Sequence, residues 1–208
     1  SGWNPRLGHG WFRLESGSIN PSQLSGFLGR DAIRAVDEAI FETKDGPHWS
    51  RIPEEESVYS LESHPSATAY PHLVLEKVGI VNGTIDDQAV LIVFTPWVSP
   101  NQAAQAFDPR LESGHRLRMG STGYFLDKQP LLYDRDTESL WVAKSRGLQA
   151  LAGPHRGHLL PRSSHLRHCS WSTWKSDHPE GRVLVGADRS VERARKARIA
   201  SEELVRKD

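Results

Sequence analysis

His155-x-x-His158 and His165-x-x-His168-Cys169 bring together the residue types of a tetrahedral metal centre, since imidazoles and a thiolate are ligands that zinc and copper favour. Their surroundings argue otherwise. Both pairs lie among Gly, Pro, Arg and Ser, which read as loops, and Arg156 and Arg167 set positive charge where a dication would sit. The four histidines therefore read as solvated or capping groups, and neither a metal nor another cofactor is assigned. Cys169 beside His168 has the types of a nucleophile and its base. Adjacent side chains diverge in regular structure, so an inert thiol is expected. Ser121, between Gly120 and Thr122-Gly123, has no paired base and reads as a glycine-flanked bend.

A second constellation is denser. Leu132-Tyr133-Asp134-Arg135-Asp136-Thr137-Glu138-Ser139-Leu140-Trp141 reads as a strand, a tight polar turn and a second strand. Asp134, Arg135 and Glu138 could serve as an acid–base dyad or as an ion-pair network. In a tight turn between apolar strands the network is preferred. Asp134 would accept backbone amides in an Asx-type turn, and Arg135 would bridge carboxylates with its planar fork. A residual pocket, if present, is expected to be lined by these three with Tyr70, His72 and Trp141. No catalytic residue is assigned, for the chain lacks a Gly-x-Ser-x-Gly elbow, a phosphate loop, a dinucleotide fingerprint and a His-Glu-x-x-His pair.

The elements that would hold these groups are mostly β. Residues 57–61 and 67–70 alternate as short strands around a turn at His64-Pro65-Ser66, and Pro71-His72-Leu73-Val74-Leu75 opens a short helix. Ile80-Val81-Asn82-Gly83-Thr84-Ile85 predicts a hairpin turning at Asn82-Gly83; the turn also accounts for the sequon Asn82-Gly83-Thr84. The apolar run 89–94 predicts a strand buried on both faces. Residues 117–119, 124–126, 131–133 and 140–143 add strands, and 147–160 reads as loop. Residues 172–178 form a short helix with Ser172 as its cap, and 182–185 a closing strand. Residues 30–41 carry apolar side chains at helical spacing with Asp31 as a cap, although a loop pinned by Ile33 and Phe41 fits equally well. Residues 1–28, rich in Gly, Ser and Pro with scattered aromatics, read as an extended arm. Residues 187–208, Ala-, Arg- and Glu-rich, read as a C-terminal helix. The expected fold is a single β-rich α+β domain over residues 29–186, with a mixed or antiparallel sheet and short helices between these two appendages.

The bulk numbers limit the function classes. Twenty-six basic and 26 acidic residues cancel, which argues against a nucleic-acid or anionic-membrane binder. The single cysteine excludes an intrachain disulfide. No apolar run approaches the ~20 residues of a membrane span. No signal peptide is evident, and a chain that opens on Ser1 is compatible with a leader or anchor upstream. Apolar residues are a lean 37%, which seven tryptophans offset by burying on the order of 200 Å² each.

Over residues 29–186 the chain resembles the domain-of-unknown-function family 3179. The resemblance is carried by Arg30-Asp31-Ala32-Ile33, Ala69-Tyr70-Pro71-x-x-x-Leu75, the 80–85 segment and Tyr133-Asp134-Arg135-x-Thr137-Glu138-Ser139-x-Trp141. Ala152-Gly153-Pro154, Leu160-Pro161 and Thr173-Trp174-x-x-x-His178-Pro179 follow in order. The resemblance also implies a Trp-His-Glu sequence where Lys77, Val78 and Gly79 stand, and a Cys-Pro-x-Cys-like turn where Thr95 to Ser99 stand. It implies Asn-Ser-Asp where Asp127, Lys128 and Gln129 stand. A member with those replacements is expected to be a non-catalytic structural or binding subunit of a larger, extracytoplasmic assembly. It would engage protein partners through the N-terminal arm and the C-terminal helix, with no nucleic acid. The alternative is a metal-binding or redox protein with rearranged ligands at His155, His158, His165 and His168. A weaker reading is a ligand binder that stacks on Trp97 and Trp141.

Overall fold

Short strands rich in β-branched and aromatic residues run along most of the chain, and many bury side chains on both faces, so they pair into sheets covered on each side. The computed structural model describes residues 6–7, 10–11, 19–26, 28–62, 67–164 and 166–187. In order, these form β1 (Arg6–Leu7), β2 (Gly10–Trp11), β3 (Leu24–Ser25), β4 (Ala39–Glu42), β5 (Ser57–Leu61) and β6 (Thr68–Pro71). Then come α1 (His72–Val78), β7 (Ile80–Ile85), β8 (Gln88–Phe94), α2 (Pro100–Ala103), β9 (Ala104–Phe107) and β10 (Met119–Leu126). The chain continues through β11 (Gln129–Asp134), β12 (Leu140–Lys144), β13 (Gly147–Ala152) and β14 (Leu159–Ser164). It finishes with β15 (Arg167–Ser170), α3 (Trp171–Asp177) and β16 (Arg182–Ala187). The fold is β-rich with few, short helices.

A nine-stranded antiparallel sheet runs β3-β10-β11-β12-β13-β14-β9-β8-β7, and β15-β5-β6-β16-β4 form a second, mixed sheet. The mixture has one source: β16 runs parallel to β6 and antiparallel to β4. The long sheet curls until β7, at one end of its order, meets β10 near the other. Asn82 bridges them. Its carboxamide donates to the Met119 carbonyl (3.0 Å) and accepts from the Met119 amide (2.8 Å), as a neighbouring strand would. The same amide nitrogen donates to Asp37 (2.9 Å). Arg116 adds bonds from its guanidinium to the Gly83 carbonyl and the Thr84 hydroxyl, at 2.7 and 3.0 Å.

Inside the curl, Leu91, Val93, Phe107, Leu132, Trp141 and Leu160 form one core. Ile92 and Phe94 point the other way and join Tyr59, Tyr70 and Leu75 in a core shared with α1 and the mixed sheet. β8 is thus buried on both faces, which is why its sequence is continuously apolar. A third cluster stacks Trp171 on Trp174 (5.3 Å between rings) with Trp49 edge-on to Trp171, behind β5 and β6.

Three sequence expectations fail for identifiable reasons, and the open choice over residues 30–41 is decided against a helix. Asn82 and Gly83 lie within β7, and the chain turns instead at Asp86-Asp87, where both residues hold positive φ (48° and 62°). The Asn82 side chain is consumed by the sheet closure, so its turn propensity is overridden. Residues 30–41 are not helical. Val36 exchanges backbone bonds with Ile80 and Asn82 on the outer edge of β7, and β4 pairs with β16. Pairing partners distant in sequence outweigh a helical spacing. Residues 147–152 and 159–164 are strands rather than loop, with Gly147 opposite Pro161. The cap of α3 is Ser170, whose hydroxyl accepts from the Thr173 amide at 3.2 Å, and Ser172 lies inside the helix. The N-terminal arm, apart from a few short stretches, and the proposed C-terminal helix lie outside the described residues.

The closure by Asn82 is testable. Asn82→Ala leaves a buried amide and carbonyl of Met119 unpaired and is expected to cost about 2–4 kcal/mol of unfolding free energy. Asn82→Asp is expected to cost at least as much, because a carboxylate cannot donate to the Met119 carbonyl and faces Asp37. Urea unfolding of the two variants checks this.

Candidate functional site

The Asp134 carboxylate is fully buried, and its neighbours explain how it tolerates that. One oxygen accepts from the Thr137 amide (2.7 Å) and hydroxyl (2.9 Å). The other accepts from the indole nitrogen of Trp141 at 2.9 Å. Thr137 bonds in turn to the Ser139 hydroxyl (2.7 Å), which accepts from the His155 amide (3.0 Å). Backbone bonds from Glu138 to the Asp134 carbonyl and from Asp134 to the Ser139 carbonyl close the turn. Gly153 fits against it because a Cβ there would lie 2.6 Å from the Ser139 Cα, at a φ of 88°. Asp134 therefore anchors a loop to the core of the curled sheet, as an Asx-type organiser does. Trp141 has no exposed face to offer as a stacking platform.

Around this turn, charged residues pair with the 30–37 segment. Arg135 donates to Asp37 at 2.5 Å, and Arg30 to Glu138 at 2.7 Å. Tyr133 donates to Asp31 at 2.5 Å, and the Arg30 guanidinium lies 4.0 Å from the Tyr133 ring centroid. Asp31 adopts positive φ (54°) and exchanges bonds with the Ser121 backbone through its amide and its carboxylate. Burial and the Asp31 carboxylate push the Tyr133 hydroxyl pKa up. The sequence singled out Arg135 and Glu138 but missed Arg30, Asp31 and Asp37 as their partners. The adjacent Arg-Asp pair at 30–31 was the available signal. Its meaning as a complement to the turn needed the long-range pairing.

Tyr70 and His72 belong to a different place. Tyr70, in β6 of the mixed sheet, is fully buried, and its hydroxyl has no hydrogen-bond partner among the described residues. Burial pushes its pKa upward. His72 opens α1, with Nδ1 3.1 Å from the Tyr59 hydroxyl and its ring against Phe94. Burial, followed by the Glu56 carboxylate, pushes Tyr59 up to about 12. The expected pocket thus divides between an Asp134 turn on the curled sheet and an aromatic–imidazole group on the mixed one.

His168, on β15, joins that second group, its ring 5.3 Å from Tyr59. Burial and then the nearby His72 lower its pKa, and its Nε2 is buried without a partner among the described residues. His155 and His158 sit on the turn between β13 and β14, rings 5.5 Å apart. His165 lies outside the described residues. Among the described residues no three His, Cys, Asp or Glu side chains gather as a metal-holding group. Cys169 packs instead with the Trp171–Trp174 cluster, and burial raises its pKa, as expected of an inert thiol. Ser121 lies in β10 beside a bulge, and its hydroxyl accepts from the Gly123 amide.

The replaced positions converge. Gly79 ends α1, and its carbonyl accepts from Phe94, whose successor Thr95 places its hydroxyl 3.4 Å from Gln129. Val78, Thr95 and Gln129 offer no imidazole or thiolate there. Trp97, 64% exposed, packs its ring against Phe125 (4.6 Å) at the same end of the sheet.

The sequence model of the family described as protein of unknown function (DUF3179) matches residues 30–198. No curated protein and no solved structure matches significantly. No helix among the described residues is long and apolar enough to cross a membrane.

Two predictions follow from this geometry. Asp134→Ala leaves the Trp141 indole and the Thr137 amide without their acceptor and is expected to cost about 3 kcal/mol, with Asp134→Asn milder. Chemical denaturation followed by tryptophan fluorescence measures both. The His168 pKa is lowered in the folded chain, so the fold favours its neutral form. That contribution is complete above its unfolded value of about 6.5 and is lost as pH falls through the lower folded value. Unfolding free energy should therefore decline as pH drops below about 6.5, and the decline should be smaller in His168→Phe.

Proposed function

The chain belongs to the DUF3179 family of proteins of unknown function, and we propose that it is a non-catalytic binding or structural subunit of a larger assembly outside the cytoplasm. One observation carries this reading. The charged groups that the signature turn could offer to a substrate are engaged within the protein: Asp134 by Thr137 and Trp141, Arg135 by Asp37, and Glu138 by Arg30. A general acid or base needs a proton path to a reacting atom. A carboxylate buried as an acceptor of an indole and a backbone amide is placed for architecture. The contact of Thr95 with Gln129 supports the same reading, because neither side chain is a soft metal ligand. The extracytoplasmic setting rests on the family resemblance, and partner docking is assigned to residues 1–28 and 187–208 from their composition.

Native mass spectrometry of the protein from its source organism, with elemental analysis of the same sample, tests the proposal. The expected result is a stable assembly larger than the 23.3 kDa chain, without stoichiometric zinc or copper. A metal-bearing monomer would overturn it in favour of rearranged histidine ligands.

A further inference from the structure

Beside the replaced positions, a cavity of about 420 Å³ opens between α2, β9 and the ends of β11, β12 and β14. That volume falls in the range of small-molecule sites. Four carboxamides line it, from Asn101, Gln102, Gln105 and Gln129, together with the cations Lys144 and Arg162. Among the described residues, no carboxylate lines it. The Arg162 guanidinium donates to the Lys144 and Ser145 carbonyls at 3.2 and 3.4 Å and lies 5.5 Å from the Phe107 ring centroid. Among the described residues Lys144 makes one long contact, 4.0 Å to Asp127. Both cations thus keep most of their charge unneutralised at the cavity wall.

The Gln105 side chain adds an independent observation. Among the described residues its Oε1 is buried without a hydrogen-bond partner, and its nitrogen makes a 3.4 Å bond to the Gln102 carbonyl. A buried acceptor of this kind costs about 1–3 kcal/mol unless something donates to it. Few native groups are left in that condition without a reason.

We infer that this cavity binds a small hydroxyl-bearing anion of the sugar-acid or sugar-phosphate type. Carboxamides both donate and accept, which matches hydroxyl groups that do the same. Among the described residues none of the lining side chains is aromatic, which disfavours a flat base. Lys144 and Arg162 select for negative charge, and the Gln105 carboxamide, held by a 3.4 Å bond, turns on binding to offer its now sealed Oε1 to a ligand hydroxyl. The inference goes beyond the subunit reading and stands without it, since partner docking is assigned to residues 1–28 and 187–208.

Isothermal titration of the full chain with D-galacturonate and glucose 6-phosphate, against D-galactose and acetate, is the test. At least one of the two hydroxylated anions should saturate at one site per chain, and galactose and acetate should each bind about tenfold more weakly or worse. Lys144→Met and Gln105→Leu should each weaken that binding about fivefold or more. Gln105→Leu removes an unpaired acceptor, so its unfolding temperature should hold or rise; a residue kept for structure would lower it. If Gln105→Leu fails to fold, Lys144→Met decides alone. Saturation by the carboxylate, the phosphate or both tells which anion the site prefers. The inference is overturned if neither saturates, if galactose binds as well as galacturonate, or if both variants bind like the parent chain.

Discussion

The closure of the curled sheet depends on the side chain of one asparagine. A nine-stranded antiparallel sheet twists because each strand is rotated relative to its neighbour, and such a sheet must either expose two edges or bring them together. Here β7 is brought to β10, but the two do not form a regular ladder. Asn82 supplies the missing donor and acceptor in place of a backbone, and Val36 covers the remaining edge of β7 with two bonds of its own. Asn82 also donates to Asp37. The contact that closes the sheet is therefore the first link of the polar network that reaches Arg135.

From that link the charged residues follow a consistent plan. Asp37 receives Arg135 and Asn82, Asp31 receives Tyr133, and Glu138 receives Arg30. Exposed ion pairs contribute little individually, typically less than about 1 kcal/mol. Here the more deeply placed bonds, Asp134 to Trp141 and Asn82 to Met119, carry the cost of getting the register wrong. A shift of β11 or β12 by one residue would move Asp134 away from Trp141 and reverse the faces on which Leu132 and Trp141 lie. The signature turn is best understood as a register lock for the β10–β12 meander, which agrees with a role in architecture rather than catalysis.

The end of the sheet that carries Thr95, Gln129 and the carboxamide cavity has a different character. It is lined by uncharged donors and acceptors and by cations, with the exposed Trp97 nearby on the same loop as Thr95. One end of the curled sheet is thus committed to internal pairing while the other keeps polar groups in reserve.

Local chemistry was legible in the sequence wherever it was decided by neighbours along the chain. The strands at 57–61, 89–94, 131–133 and 140–143, the short helices after Pro71 and before Pro179, and the role of Asp134 as a turn acceptor all follow from alternation, apolar runs and Asx propensity. So did the family, because its motifs keep their order. What the sequence could not disclose depended on partners far along the chain. Asn82-Gly83 has the composition of a turn, yet Asn82 is 37 residues from the Met119 that captures it. The 30–41 segment has helical spacing, yet its bonds go to Ile80, Asn82 and β16. Tyr70 and His72 looked like neighbours of Asp134 only because family motifs are read as one line. Sequence by itself determined which residues are apolar and which stretches form strands through continuous apolar runs or short alternation. Tertiary structure alone decided which polar groups find each other, because a hydrogen bond depends on a separation of about 3 Å that sequence distance does not encode.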